Sequence, residues 1–174
     1  DMDGLPIINI RNVPLTEPMN AMLKRMIDIL GSLVGILLFG PLMIIVAILI
    51  KLDSPGPIIF KQERVGLHNR PFMMFKFRSM RVQKDEEEKK AWTVEGDPRV
   101  TGIGKIIRKA SIDELPQFFN VLRGDMSLIG PRPERTQFVE MFKEQIPRYM
   151  IKHQVRPGMT GWAQVNGFRG DTSI

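Results

Sequence analysis

Ile29 to Ile50 reads ILGSLVGILLFGPLMIIVAILI, an apolar stretch with no charged side chain and a proline, Pro41, near its middle. As a helix rising about 1.5 Å per residue, about 22 residues cover a hydrocarbon core of about 30 Å. The stretch therefore points to a membrane. Pro41 has no backbone N–H and clashes with the carbonyl four residues earlier, so it is expected to kink or break the helix into arms of about 12 and 10 residues. Each arm alone covers only about 15 to 18 Å. A kinked spanning helix and a re-entrant hairpin are both open, since membrane helices tolerate proline where neighbours re-satisfy the freed carbonyl. A buried core helix of a soluble protein is the third reading, and the length argues against it.

The flanks favour re-entry. Lys24 and Arg25 precede the stretch and Lys51, Lys61 and Arg64 follow it. A spanning segment biases its basic residues toward one end, whereas two basic flanks suit ends that share one anionic leaflet. The division expected is a linker over 1–19, a re-entrant membrane helix over 20–52 and a catalytic domain over 53–174. The absent initiator methionine and the end at Ile174 suggest an upstream region and a truncated C-terminus. Outside the apolar stretch, roughly 120 residues remain to form a core, which is adequate.

The chain of 174 residues carries a net charge of +6, a pI near 9.8 and no cysteine. Disulfides and thiolate chemistry are excluded, and the basic balance points to anionic partners. Beside a membrane segment, lipid head groups and phosphorylated substrates outrank nucleic acid, for which no motif or stacking array is present. A secretory signal does not fit, because the stretch starts too far in and lacks a cleavage site.

Leu5 to Ile10 suggests a strand within the linker. Asp53-Ser54-Pro55-Gly56-Pro57 is a dense turn signal that ends the membrane helix. Ile58 to Val65 and Phe72 to Met80 read as hairpin strands joined by Gly66 to Arg70; in the second, Phe75 and Phe77 alternate with Lys76 and Arg78, one apolar face and one basic. Val82 to Ala91 (VQKDEEEKKA) reads as a solvated helix, and Glu95 to Pro98 as a loop. Short helices follow over Ile103 to Lys109 and Leu115 to Leu122, the latter with Pro116 at its start and Gly124 past its end. Glu134 to Ile146 and Arg148 to Gln154 are amphipathic helical patterns able to rest on head groups. Met159 to Gly170 reads as a loop around a short strand.

Histidine schemes fare badly, since His68 and His153 are the only two and neither has a partner at ligand spacing. No G-x-x-x-x-G-K-[ST] loop exists, and Gly102-Ile103-Gly104 is too short for a dinucleotide fingerprint. What remains is Arg108-Lys-Ala-Ser-Ile-Asp113-Glu114-Leu-Pro116-Gln117, which gathers carboxylates and basic residues at a helix entrance. Ser111 with Glu114 three residues on is a capping box. Alternatively Pro116 is the first helical residue, and Asp113 and Glu114 lie at the positive end of the macrodipole, which keeps carboxylates ionised and favours a bound anion. The residues alone leave both open.

Lys51-Leu-Asp-Ser-Pro-Gly-Pro57, Gln62-Glu-Arg-Val-Gly66, Lys76-Phe-Arg-Ser-Met80, Asp113-Glu-Leu-Pro-Gln117, Gly124-Asp-Met-Ser-Leu-Ile-Gly-Pro-Arg-Pro133 and Arg156-Pro-Gly-Met-Thr-Gly161 resemble, in order, the signature blocks of the bacterial sugar transferases. These are monotopic phosphoglycosyl transferases acting on polyprenyl phosphate, and the resemblance covers roughly Lys24 to Asp171. It implies an α+β, mainly helical fold: a re-entrant helix-break-helix with Pro41 at the break, and a small cytoplasmic domain with a β-hairpin and amphipathic interfacial helices. The residue before the proline is often Ser in that family and is Gly40 here. The resemblance implies Asp113 as nucleophile, Glu114 beside it helping to hold Mg²⁺, Arg108 as a phosphate-binding arginine, and Arg132 between Pro131 and Pro133 in a motif linked to nucleotide or phosphate recognition. Arg156 is a further substrate-binding candidate.

The reaction implied is transfer of hexose 1-phosphate from a UDP-sugar to undecaprenyl phosphate at the bacterial inner membrane, facing the cytoplasm. It passes through an aspartyl phosphosugar and releases UMP, initiating surface polysaccharide or glycoconjugate synthesis. Gln164-Val-Asn-Gly-Phe-Arg-Gly-Asp-Thr172 resembles glucose-transferring members, with galactose or an N-acetylated sugar as alternatives. Membrane lipids are implied as partners, and a homo-oligomer is compatible. The competing reading is a non-catalytic scaffold or anionic-lipid-binding module of the same fold. Arg64, Arg78 and Arg81 are candidate lipid-phosphate contacts, Asp125 a metal-shell or turn residue, and Trp162 and Tyr149 interfacial or core aromatics.

Overall fold

The computed structural model describes residues 15, 17–82, 97–142 and 149–167. The strand suggested over Leu5 to Ile10, nearly all of the Val82 to Ala91 helix and most of the loop before Pro98 lie outside the described residues.

The first element, α1 (Pro18–Asp53), runs 36 residues with Pro18 in its first turn and Lys51 in its last. It continues through Pro41 as one helix, so the expected two arms are not separate elements. A proline inside a helix costs about 3 kcal/mol, an amount that the remaining intrahelical bonds of so long a helix absorb. The helix ends where Ser54, Pro55 and Gly56 follow; Arg78 Nη1 donates to the Pro55 carbonyl at 2.6 Å and Nη2 to the Ser54 carbonyl at 2.6 Å.

Asp28, Ser32, Gly35, Met43, Val46 and Ile50 are the buried residues of α1. Their spacing of three and four, taken across the middle as two turns, traces one face laid along the rest of the protein. The other face is apolar and open, with Leu30, Val34, Leu37, Leu38 and Ile44 all at least 60 % exposed. Only 22 % of the most apolar window is buried, whereas the core helix of a soluble domain is mostly buried. It is long and apolar enough to cross a membrane.

Strands β1 (Ile59–Val65) and β2 (Pro71–Phe77) form the expected hairpin, antiparallel and in register from Ile59 opposite Phe77 to Val65 opposite Pro71. The second strand ends earlier than expected, and Met80 instead bridges Val100. The two basic residues of the expected strand, Lys76 and Arg78, are engaged by the protein. Arg78 is 5 % exposed and Lys76 turns toward Glu114. The open edge of β2 is covered by Asn120, whose Oδ1 accepts from the Phe75 amide at 2.9 Å while its Nδ2 donates to the Met73 carbonyl at 2.8 Å. A side chain thus stands in for a third strand.

Helices α2 (Gly102–Lys109) and α3 (Gln117–Arg123) follow, separated by a 3-10 turn over Ile112–Glu114. The Thr101 hydroxyl caps α2 by accepting from the Gly104 amide. Gly124, at φ 95, ends α3 in the left-handed region that favours glycine. Two short strands pair in parallel: β3 (Ser127–Ile129), which the sequence hides, and β4 (Gly158–Thr160), at the start of the stretch expected to hold one. Helix α4 (Thr136–Phe142) and a 3-10 helix over Tyr149–Gln154 occupy the two amphipathic patterns, and α5 (Trp162–Val165) follows β4. The end of the first pattern, to Ile146, lies outside the described residues.

Two apolar clusters hold these pieces together. Met43, Val46 and Ile50 of α1 pack with Phe77 and Ile107, and Ile112 and Leu115 lie against them. Met74, Val121 and Met126 form the second, with Leu128 and Met159 alongside. Val121 and Met126 are fully buried, and removing a side chain of that size from water contributes roughly 1.5–3 kcal/mol.

Candidate active site

The 3-10 turn over Ile112–Glu114 sits where the first cluster meets the hairpin. Ile112 and Leu115 are held in that cluster, so the residues between them, Asp113 and Glu114, are fixed by their neighbours. The turn is entered through Ser111 in the left-handed region at φ 56, and the Ser111 side chain makes no cap hydrogen bond. The capping box is therefore not formed. Glu114 accepts through Oε1 from Lys76 Nζ at 2.7 Å, with Arg132 Nη2 4.0 Å from the same oxygen.

Pro116 precedes α3 rather than opening it, and α3 has seven residues. The expected macrodipole effect does not govern Asp113. Burial raises its pKa above the ordinary carboxylate value, opposed by Lys76 and Arg108 and reinforced by Glu114. A half-buried carboxylate with cations on two sides is poised to pair with positive charge or to attack an electrophile.

Asp113 and Glu114 line an open cleft of about 610 Å³. Four cationic side chains, Lys76, Arg108, Lys109 and Arg132, line it with these two carboxylates, and Phe118, Leu128 and Ile129 supply an apolar wall. That wall rests on α1. A Cβ added at Gly31 would lie 2.5 Å from Leu128 Cδ1, and one at Gly35 2.6 Å from the Phe118 ring. Phe39 also stacks on Phe118, ring centroids 6.4 Å apart. One turn earlier, Asp28 Oδ1 accepts from the Leu128 amide at 3.0 Å and from Lys24 Nζ at 2.5 Å.

The structure thus gathers Arg108, Asp113, Glu114 and Arg132 around one space. Pro133 lines a small recess beside it. Pro131 acts through its carbonyl, which accepts from the Gly158 amide and fastens β4 to the chain leaving β3. Arg156 is not brought to the cleft: its Nε donates to the Gly124 carbonyl at 2.9 Å and secures the turn after α3. Asp125 accepts from Asn120 Nδ2 in that same turn. Arg78 is committed to the carbonyls after α1, Arg81 bonds the Arg99 carbonyl through its backbone amide, and Arg64 enters the recess wall. Trp162 is 84 % exposed, while the Tyr149 hydroxyl donates to Glu134. Lys76 is the site residue that reading for carboxylates and arginines overlooks. Its signal is its place in the block Lys76 to Met80.

Among the described residues no group of three or more His, Cys, Asp or Glu side chains forms a metal cage. The donor set present is two adjacent carboxylates facing an open cleft. That suits Mg²⁺, which keeps several waters and takes one or two carboxylates plus substrate phosphates.

The sequence model for "Bacterial sugar transferase" matches residues 19–174. The chain is 56 % identical over 158 residues to the UDP-N-acetylgalactosamine-undecaprenyl-phosphate N-acetylgalactosaminephosphotransferase of Aeromonas hydrophila, covering 90 % of this chain and 37 % of that protein. It is 44 % identical over 172 residues to the UDP-glucose:undecaprenyl-phosphate glucose-1-phosphate transferase of Escherichia coli, covering 99 % and 37 %. A Caulobacter vibrioides protein of the same name is 49 % identical over 149 residues, covering 86 % and 55 %. The chain spans little more than a third of the length of the first two. A family match over residues 19–174 means that the chain belongs to the bacterial sugar transferases.

Proposed function

We propose that this chain is a phosphoglycosyl transferase moving a sugar 1-phosphate from a UDP-sugar to undecaprenyl phosphate. The observation that carries the reading is a half-buried Asp113, beside Glu114, in a cationic cleft whose apolar wall is packed on a membrane-type helix. A nucleotide-diphosphate sugar brings about two negative charges, so an anionic nucleophile approaches only when cations offset them. Arg108, Lys76 and Arg132 supply fixed positive charge, and Mg²⁺ held by Asp113 and Glu114 would polarise the phosphoryl oxygens. Asp113 attacks the sugar-linked phosphorus, the bond to the UMP phosphate breaks, and the sugar phosphate stays on the aspartate. Undecaprenyl phosphate then takes it from the side where Phe118 and Leu128 meet α1.

The membrane arrangement supported best is insertion from one face. Arg25 donates to the Val121 and Leu122 carbonyls at one end of α1, and Met43 to Ile50 pack on Phe77 and Ile107 toward the other. Both ends therefore belong to one domain, which we place on the cytoplasmic face of the bacterial inner membrane. The donors of the named relatives are UDP-glucose and UDP-N-acetylgalactosamine, and these are the first two candidates, with UDP-galactose third.

The test is Mg²⁺-dependent UMP release from a panel of UDP-sugars with undecaprenyl phosphate, with mass spectrometry of donor-treated protein. Ping-pong kinetics and a hexose-phosphate adduct on Asp113 are expected. A scaffold of the same fold releases no UMP with any sugar, and that outcome would falsify the reading.

A further inference from the structure

Beside the cleft lies a recess of about 10 Å³, walled in part by Arg64, Pro133 and Gly158. Lys76, Glu114, Arg132 and Met159 line both spaces, so the recess opens off the cleft across these four. Its size is that of one water or one phosphoryl oxygen.

Arg64 reaches it from the end of β1. Its Nη1 donates to the Pro133 carbonyl at 3.2 Å and its Nη2 to Gln62 Oε1 at 2.7 Å. Its Nε is buried with no hydrogen-bond partner. Neither partner carries charge. Burial, with repulsion from Arg135 and Arg132, outweighs the attraction of Glu134 and Glu114 and brings the guanidinium pKa down to about 10. The group remains cationic at neutral pH. Glu114 is shared with Lys76 and Arg132, and Glu134 holds Lys152 at 2.7 Å and the Tyr149 hydroxyl. Both carboxylates pair more closely with other cations and offset Arg64 only in part, and a partly desolvated cation cluster is relieved by an incoming anion.

Which phosphate arrives there follows from the layout of the cleft. Phe118 and Leu128, the residues seated on α1, line the main cleft and not the recess. Arg108 lines the main cleft beside Asp113, whereas Arg64 lines only the recess. Resting on the transfer reading above, we propose that Arg64, with Arg132, binds a non-bridging oxygen of the nucleotide-side phosphate, the group that departs as UMP. As the Asp113 oxygen–phosphorus bond forms, the bond from phosphorus to the UMP oxygen breaks. That oxygen keeps the electron pair, and UMP gains one negative charge with no proton required. Arg64 and Arg132 meet that charge as it develops.

The full chain in lipid nanodiscs with Mg²⁺ is titrated with UMP and with uridine, and KM is measured for UDP-sugar and for undecaprenyl phosphate. Arg64→Gln is expected to weaken UMP about ten-fold or more and to raise KM for UDP-sugar, leaving uridine binding and KM for undecaprenyl phosphate within about two-fold. Arg64→Lys, which keeps the charge without the fork, restores part of the loss. If Arg64→Gln does not fold, Arg64→Lys carries the test with an expected loss of about three-fold. Wild-type UMP binding that the variants leave unchanged, or a rise confined to KM for undecaprenyl phosphate, overturns this assignment alone. A wild-type chain that binds no UMP overturns it together with the transfer reading.

Discussion

Lys76 Nζ lies 2.7 Å from Glu114 Oε1, and the same lysine is the strongest attraction lowering the pKa of Asp113. One cation from the hairpin therefore serves both carboxylates of the 3-10 turn. Replacing it by methionine removes the influence that most opposes burial at Asp113, so the Asp113 pKa rises further. A smaller fraction is ionised at any given pH, and the acid limb of the pH profile for UMP release moves to higher pH. The rate at neutral pH falls by about ten-fold or more, and Lys76→Arg retains more activity than Lys76→Met.

Asp113→Asn is expected to lose transfer by about a hundred-fold or more, since an amide is no nucleophile. The same change should stabilise the fold. Because the folded-state pKa of Asp113 is raised, the folded chain holds more protons than the unfolded chain between about 3.8 and that value, and stability falls as pH rises through the window. Above that value the penalty is fully in force, and asparagine removes it. Thermal melts in chelator at neutral pH should show a higher Tm for Asp113→Asn than for wild type. At pH 3 the difference should vanish.

Asp28→Ala strips the Leu128 amide of its acceptor and Lys24 of its carboxylate, leaving the lysine only Ser127 Oγ among these contacts. Leaving a fully buried N–H unsatisfied costs about 1–3 kcal/mol, and this part-buried one sits toward the low end. Asp28→Asn keeps an oxygen for the amide and should lose less. Unfolding followed by circular dichroism in detergent orders the three chains as wild type, Asn, Ala. Equal melting of Ala and wild type would show that the contact carries no stability.

Chelation with EDTA should stop UMP release and leave the far-ultraviolet circular dichroism unchanged. Among the described residues there is no cage of three or more ligands whose loss could unfold the domain. Adding Mg²⁺ back should restore the rate, and Ca²⁺ should restore it poorly because it prefers more ligands at longer distances.

The apolar stretch, the hairpin and the Asp113-Glu114 pair were legible because each is local. An uncharged run announces a helix in lipid, a turn between alternating residues announces two strands, and two adjacent carboxylates need no folding to be neighbours. Lys76 is 38 residues from Glu114, and no spacing rule joins a strand residue to a turn so distant. Strand β3 escaped for another reason: three residues give alternation nothing to show. The capping box misled because spacing is necessary but not sufficient; Ser111 enters at φ 56 and faces its side chain elsewhere. Arg156 sits in a signature block, yet its visible work is on the Gly124 carbonyl. Motif order does not separate residues that meet substrate from residues that hold the frame.

Gly31 and Gly35 leave α1 so little room against Leu128 and Phe118 that the greasy helix is masonry for the reaction chamber. Cutting residues 18–53 away to obtain a water-soluble enzyme would take out one side of that chamber and uncover Phe77 and Ile107 as well. Swapping in an unrelated hydrophobic anchor would keep the protein at the lipid and still leave the chamber breached.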